Sequence, residues 1–378
     1  MNISLVTTTI NLPFFLKSFK PEFPSDCNVN VIIVGDNGTP ETIECFCEEL
    51  NKDSKTFYKV DYWSPELQDV YIRNYLGDID KIRKVIPEKD IRRRNFGFLI
   101  ALEEGADYIV SLDDDNYPTA GWEQYLLDFV TNHDNCTTDS TLGIINPTEF
   151  LDNNVRNPYI YSRGYPLRLW YKSNVYENIP IKKKINPVMH QMLWSNKPDV
   201  DAITNLVYPE LKTGEGMNFP FNKSIIAHKD NYFPIDTQSL VFSKELSIFH
   251  AIYQKPLYDL PSHRYDDIWA GIFCQKIANT LGDSYSFGFP IMEHKRNSHN
   301  FQKDLQMEFA GMILNTHMWD SVIDCDLTSK NYKDCFLELA DKLPDFFKYY
   351  NNVDVEVLMY GIRDSMRLWV DLLDKVGV

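Results

Sequence analysis

The sequence has no long apolar run. Nowhere do its 378 residues approach the roughly 20 uninterrupted apolar residues that a membrane-spanning helix needs. A basic excess is missing too. Lys and Arg total 38 against 54 Asp and Glu, a formal charge of −16. Nucleic acid or an anionic membrane surface would repel such a chain, although a local basic site for a small anion is still allowed. Cysteine is sparse: seven residues, odd in number and scattered, with only Cys45 and Cys47 close together. That pattern favours free thiols in a reducing compartment over a disulfide frame or a zinc site. The opening residues MNISLV lack a basic, then apolar, then small-residue leader, so the expectation is a cytoplasmic protein. Hydrophobic residues at 44% and charged residues at 24% exclude a disordered chain.

What is present reads as α/β. Residues 3–9 (ISLVTTT) and 29–34 (VNVIIV) are apolar, β-branched strands, the second ending in the turn Gly35-Asp36-Asn37-Gly38. A helix follows Pro40, and residues 92–104 form another, closed by Gly105. Residues 108–112 (YIVSL) are a third buried strand that runs into Asp113-Asp114-Asp115. Strand alternating with helix predicts a doubly wound, mostly parallel sheet. Ligands gather beyond the carboxyl ends of such strands, so residues 7–11, 35–38 and 113–116 are expected to converge. Residues 150–260 read as loop-rich with short strand-like runs. Residues 264–281 return to helix, 285–292 to strand, and about 330–376 to helix. In that last stretch Leu358, Met359, Ile362, Met366, Trp369, Val370 and Leu373 recur at helical spacing.

The acidic triplet is the sharpest chemical feature. Carboxylates directly after a buried strand are costly unless a cation or hydrogen bonds compensate them. Alternate residues of an extended segment point the same way, so Asp113 and Asp115 can share one hard cation, and His294 at a later strand end is a candidate third ligand. The plainer alternative is a solvated loop with one Asp capping a helix. Arg92-Arg93-Arg94 open a helix, where cations oppose the macrodipole. A bound pyrophosphate would favour them, with Arg94 the first candidate. Pairing with Glu88 and Asp90 would serve equally. Asp266 and Asp267 stand at another helix start, as an N-cap or as a base, stabiliser or sugar-orienting group.

These segments occur together, in this order, in a known family. The chain resembles the reversibly glycosylated polypeptides of plants, which include UDP-L-arabinopyranose mutase. The match is carried by an early TTTIN, Arg94-x-Phe96-Gly97, the acidic triplet, Arg163-Gly164-Tyr165-Pro166, RYDDIWAG at 264–271, and Gly288-Phe289-Pro290 followed by His294-Lys295 and Lys303-Asp304. The resemblance implies a GT-A-like α/β fold, with residues 1–305 as the nucleotide-sugar-binding domain and 306–378 as a helical extension packed on it. It also implies Mn²⁺ or Mg²⁺ at Asp113, Asp115 and His294. Thr8, Asn11, Asp36, Arg94 and Asp114 fall on the nucleotide side, and Arg163, Arg168, Asp266 and Asp267 on the catalytic side. The implied activity interconverts the pyranose and furanose forms of a UDP-sugar through a glycosylated Arg163. The alternative is transfer of the sugar to a polysaccharide, glycolipid or protein acceptor. A homo-oligomer is compatible with either. Two positions depart from the family. Trp170 stands where a second arginine is usual, with Arg168 two positions earlier, and Asn116 follows the triplet in place of cysteine.

Overall fold

A computed structural model of the chain describes residues 1–378 apart from 21–22, 24–25, 53–55, 125, 127–135, 158, 181–184, 218–223, 258–259, 261–263 and 297–299. Four parallel strands form its first half: β1 (Asn2–Thr8), β2 (Asn28–Val34), β3 (Lys59–Trp63) and β4 (Tyr108–Asp113), in the spatial order β3-β2-β1-β4. The continuous apolar runs arise because this block is covered on both faces. The first expected helix is α1 (Ile43–Lys52) and the second is α2 (Arg94–Glu103). Helix α2 lies directly on the sheet. A Cβ on Gly97 would stand 2.5 Å from Val6 Cγ1 and 2.9 Å from Val34 Cγ2, so only glycine permits this approach.

The remaining strands are β5 (Asn116–Pro118), β6 (Cys136–Ser140), β7 (Leu151–Asn153), β8 (Tyr176–Pro180), β9 (Met189–Asn196), β10 (Thr213–Met217), β11 (Ile225–Ala227), β12 (Ser239–Ser243) and β13 (Tyr285–His294). They extend the same sheet beyond β4 as β12-β9-β13-β11-β6-β8. Here parallel and antiparallel pairs mix: β12 runs antiparallel to β4 and β9, whereas β13 runs parallel to β9. The α/β class and the doubly wound parallel block are as the sequence implies, and the loop-rich middle contributes most of the mixed half.

Register positions the site. Thr8 is level with Val34 on one side and Asp113 on the other, so three strand ends share one rim. On β13, His294 lies opposite Asn116 of β5 and Asn196 of β9, which carries it to the acidic turn. Four longer helices follow: α3 (Asp266–Leu281), α4 (Phe301–Ile323), α5 (Tyr332–Phe346) and α6 (Val353–Lys375). Helix α4 crosses the boundary expected at 305–306. The periodic residues of α6, Leu358 through Leu373, are buried in one apolar cluster with the strands. The Trp369 indole donates to the Ser247 carbonyl at 2.9 Å. Among the described residues no helix is long and apolar enough to cross a membrane.

Candidate active site

The acidic turn at the end of β4 divides its three carboxylates among three partners. Asp113 Oδ1 accepts from Arg94 Nη2 at 2.5 Å. Asp114 Oδ2 accepts from the Thr9 hydroxyl at 2.6 Å, and burial raises its pKa. Asp115 is clasped through its backbone, the Lys295 N–H donating to its carbonyl at 2.9 Å. Its side chain accepts from Asn116 Nδ2 at 3.1 Å and lies 3.3 Å from His294 Nε2. Nδ1 of the same imidazole is 2.7 Å from the Lys197 carbonyl, which can only accept, so Nδ1 carries the proton there. In the neutral ring Nε2 then turns a lone pair toward a carboxylate oxygen. Two facing acceptors at this spacing are stable only around a shared proton or a cation. Two ligands about 2.1 Å from one ion, at right angles, stand ~3 Å apart.

Of Asp113, Asp115 and His294, the structure brings Asp115 and His294 together, whereas Asp113 is turned to Arg94. Among the described residues no three His, Cys, Asp or Glu side chains form a ready-made cage. A divalent ion would have to complete its shell with ligand oxygens, as it does at nucleotide sites.

The three consecutive arginines part company. Arg92 pairs with Asp90 through Nε at 2.9 Å and Nη2 at 2.6 Å, the local pairing that the sequence left open. Arg93 reaches Asp36 at 3.2 Å, and its buried Nε has no partner among the described residues. Arg94, 1% exposed, donates to Ser111 Oγ, the Thr237 carbonyl and Asp113, with Thr8 Oγ1 at the 3.5 Å limit. Arg94 is thus a brace tying β1, β4 and the loop before β12, whereas Arg93 through Nε and Arg92 through Nη1 each keep a donor with no partner among the described residues. Asn11 is exposed, its N–H donating to Thr9 Oγ1 at 2.8 Å. Asp36 lines a cavity of about 430 Å³ with Asn37, Thr39, Tyr62 and Ser64.

A larger cavity of about 570 Å³ adjoins this rim, lined by Arg94, Asp113, Arg163, Arg264, Asp266 and Asp267 among others. Its floor is a buried charge cluster. Arg163 Nε donates to Asp199 at 2.8 Å, Nη1 and Nη2 to the two oxygens of Asp267 at 3.1 and 3.0 Å, and Nη1 also to the Arg264 carbonyl at 2.5 Å. Burial alone would weaken this guanidinium, but Asp199 and Asp267 outweigh it and hold its proton more tightly than usual. Burial would likewise raise Asp267, yet Arg163 prevails and the carboxyl stays below its ordinary range. Asp236 is pushed well up by burial and by Asp199, with Arg163 opposing. Asp266, at the start of α3, is raised to about 7 by burial, then by Asp267 and Asp90, with Arg92 and Arg163 opposing. A carboxyl poised there can give or take a proton near neutrality.

Gly164 explains the RGYP turn. Its φ is +86°, and a Cβ would meet Ile268 Cγ2 at 2.4 Å. Its carbonyl accepts from Asn315 Nδ2 at 2.7 Å and Trp319 Nε1 at 2.9 Å, pinning Arg163 between α3 and α4. Arg168 is not brought to the cavity: it pairs with Asp320 of α4 at the surface. Sequence reasoning missed Asp199, Asp236 and the special position of Arg93. Asp199 follows the end of β9 and Asp236 precedes β12, so strand assignments there would have marked both as strand-end residues.

The class of protein is set by this arrangement: an α/β protein with a doubly wound parallel block, whose strand-end carboxylates and arginines border a charged cavity. More particularly, the chain belongs to the reversibly glycosylated polypeptide family, whose model matches residues 2–378. It is 27% identical over 398 residues to a probable UDP-arabinopyranose mutase 1 of Pisum sativum, covering 99% of this chain and 91% of that one. Similarity to UDP-arabinopyranose mutase 1 of Arabidopsis thaliana is 26% over 326 residues, covering 82% and 80%. The Oryza sativa subsp. japonica UDP-arabinopyranose mutase 1 is 24% identical over 396 residues, covering 99% and 91%.

Proposed function

We propose that this protein interconverts the pyranose and furanose forms of a UDP-sugar. The observation that carries the reading is one cavity in which Arg163, Asp266 and Asp267 meet the strand-end Asp113. The diphosphate lies against the rim, where Arg93 Nε has no partner among the described residues. Asp115 and His294 would hold Mn²⁺ or Mg²⁺, which supplies charge stabilisation for the departing diphosphate. Arg163 Nη2 attacks the anomeric carbon, passing one proton to Asp267, already hydrogen-bonded to it, while the bond from that carbon to the diphosphate oxygen breaks and UDP takes the electron pair. The ring oxygen then leaves the anomeric carbon with its electron pair and receives a proton, as the attached Arg163 nitrogen gives up its own and forms a C=N bond to that carbon. A different hydroxyl closes on that carbon and gives one up, and the C=N pair returns to the nitrogen with a proton. Asp266 is the group suited to carry both. UDP returns as the Arg163 bond breaks, and the proton goes back from Asp267. The tight hold on the Arg163 proton makes the first step the demanding one.

The test is to incubate purified protein with a panel of UDP-sugars and Mn²⁺, with no acceptor, and to follow ring form and intact protein mass. Ring interconversion together with a mass increase that Arg163→Lys abolishes supports the reading. Turnover only on addition of an acceptor overturns it in favour of a transferase. For the metal, Asp115→Ala should weaken UDP binding in Mn²⁺ by at least about tenfold, to the level that the wild type shows with chelator. Unchanged calorimetric binding would refute that assignment.

A further inference from the structure

A second cavity, of about 580 Å³, opens beside the first and takes no part in the chemistry above. It is lined by Glu149, Arg156, Tyr159, Tyr161, Tyr171 and Lys172, among others. Two of its tyrosines present their rings to solvent, Tyr159 at 50% and Tyr171 at 70% exposure, with ring centroids 5.2 Å apart and planes tilted by 58°. Behind them Tyr161 stacks on Trp170 at 4.7 Å and receives the Tyr171 N–H on its hydroxyl at 2.6 Å. Tyr58 and Tyr75 are as exposed, so exposure alone marks nothing; what sets Tyr159 and Tyr171 apart is that their two rings lie together in the lining of a cavity.

The polar lining points to the kind of ligand. Among the described residues the side chains of Arg156, Lys172 and Ser173 make no hydrogen bond or ion pair, so their donors are available. Asp152 adds an exposed acceptor, whereas both Glu149 oxygens are already taken, by the Tyr176 hydroxyl at 2.8 Å and Asn146 Nδ2 at 3.3 Å; the formal charges of the two cations and two carboxylates balance. A neutral cavity that offers flat aromatic faces ringed by donors and acceptors suits a molecule with apolar C–H faces and hydroxyl edges. The backbone adds a second sign. Arg156 (φ +49°) and Tyr171 (φ +60°) both adopt the left-handed conformation that bulky residues avoid, and both line this cavity. Such strain clusters at ligand clamps.

We infer that this cavity is a saccharide-binding subsite, taking a short neutral glycan against Tyr159 and Tyr171. It is joined to the charged cavity by one segment: Tyr161 lines the first and Arg163 the second, two residues and at most about 7 Å of chain apart. The inference stands on these residues alone and does not need the ring-interconverting activity.

The test uses the full chain with cellobiose, maltose and xylobiose as probes, observed by saturation-transfer NMR in the presence of excess UDP. At least one disaccharide is expected to receive saturation at its C–H protons. The signal should survive in Tyr171→Phe, which keeps the ring face, and fall at least about fivefold in the Tyr159→Ala/Tyr171→Ala double variant. Both side chains are exposed, so thermal melts should coincide. Absence of transfer to all three sugars overturns the inference. So does a signal that UDP displaces, which would place the sugar in the charged cavity, or a signal undiminished in the double alanine variant.

Discussion

The two neighbouring cavities are of similar size and opposite construction. In the charged one, cations and carboxylates are used on each other: Arg94 holds Asp113, Arg163 holds Asp199 and Asp267, and Arg264 holds Glu308. In the aromatic one, Arg156 and Lys172 have no side-chain partner among the described residues, and the rings of Tyr159 and Tyr171 face water. The difference separates two kinds of work. Charges fixed by one another in a buried floor need no reorganisation when charge moves on a substrate, which suits bond making and breaking. Free donors and bare rings exchange water for ligand at little structural consequence, which suits weak recognition. The first construction ties function to stability, and the second leaves them independent.

The strongest way to break that contrast is to remove the central cation. Arg163→Ala leaves Asp199 and Asp267 buried without their partner and should destabilise the fold by about 3–5 kcal/mol, besides abolishing turnover. Lys172→Ala in the other cavity should change stability by no more than ~0.5 kcal/mol. Denaturant unfolding of both variants measures the gap; comparable losses would show that the two cavities are not built differently after all.

A smaller effect sharpens the account of Asp266. Its folded pKa of about 7 lies above that of an exposed aspartate. The folded chain therefore keeps a proton that the unfolded chain loses above about pH 4. That contribution is complete at low pH and is lost as pH rises toward 7. Asp266→Asn stays neutral throughout, so relative to wild type the variant should gain about 2–3 kcal/mol in unfolding free energy between about pH 5 and pH 8. Its ring interconversion should collapse at every pH. Parallel stability curves for the two proteins would remove Asp266 as a titrating group.

Much of this arrangement was legible beforehand where local chemistry decides it. The run VNVIIV, the acidic triplet after YIVSL and the spacing from Leu358 to Leu373 each carry their own periodicity or turn signal. Helix α4 was expected only within the helical extension that the resemblance implies from 306, and not from a periodicity of its own, because its inward face includes Asp304, Glu308 and Asn315, polar residues that blur an apolar stripe and are stable only through partners elsewhere. Strand β9, MHQMLWSN, is buried along nearly its whole length, so it shows no alternation to read. Its pairing with β13 brings Lys197 to His294 across 97 residues, a contact that no local pattern announces. Asp199 was invisible for the same reason: its significance lies in Arg163, which reaches it through the tertiary fold, and Asp236 joins that cluster only by the charge it feels there.

The smallest expected effect concerns Arg168. Its guanidinium pairs with Asp320, Nε to Oδ1 at 2.9 Å, with side chains 38% and 41% exposed. At that exposure solvent and salt screen the pair, and holding two long side chains in one geometry offsets part of the attraction. Arg168→Ala should therefore change stability by about 0.2–1 kcal/mol and leave ring interconversion at the wild-type rate. The family pattern places its second arginine two positions later, where Trp170 here stacks on Tyr161 and belongs to the wall behind the aromatic cavity. Should Arg168→Ala abolish turnover while unfolding at the wild-type denaturant midpoint, the side chain must leave Asp320 and swing into the charged cavity during the reaction. A free surface cation would then be doing the work assigned to the fixed ones, and the contrast between the two cavities would fail at its charged end.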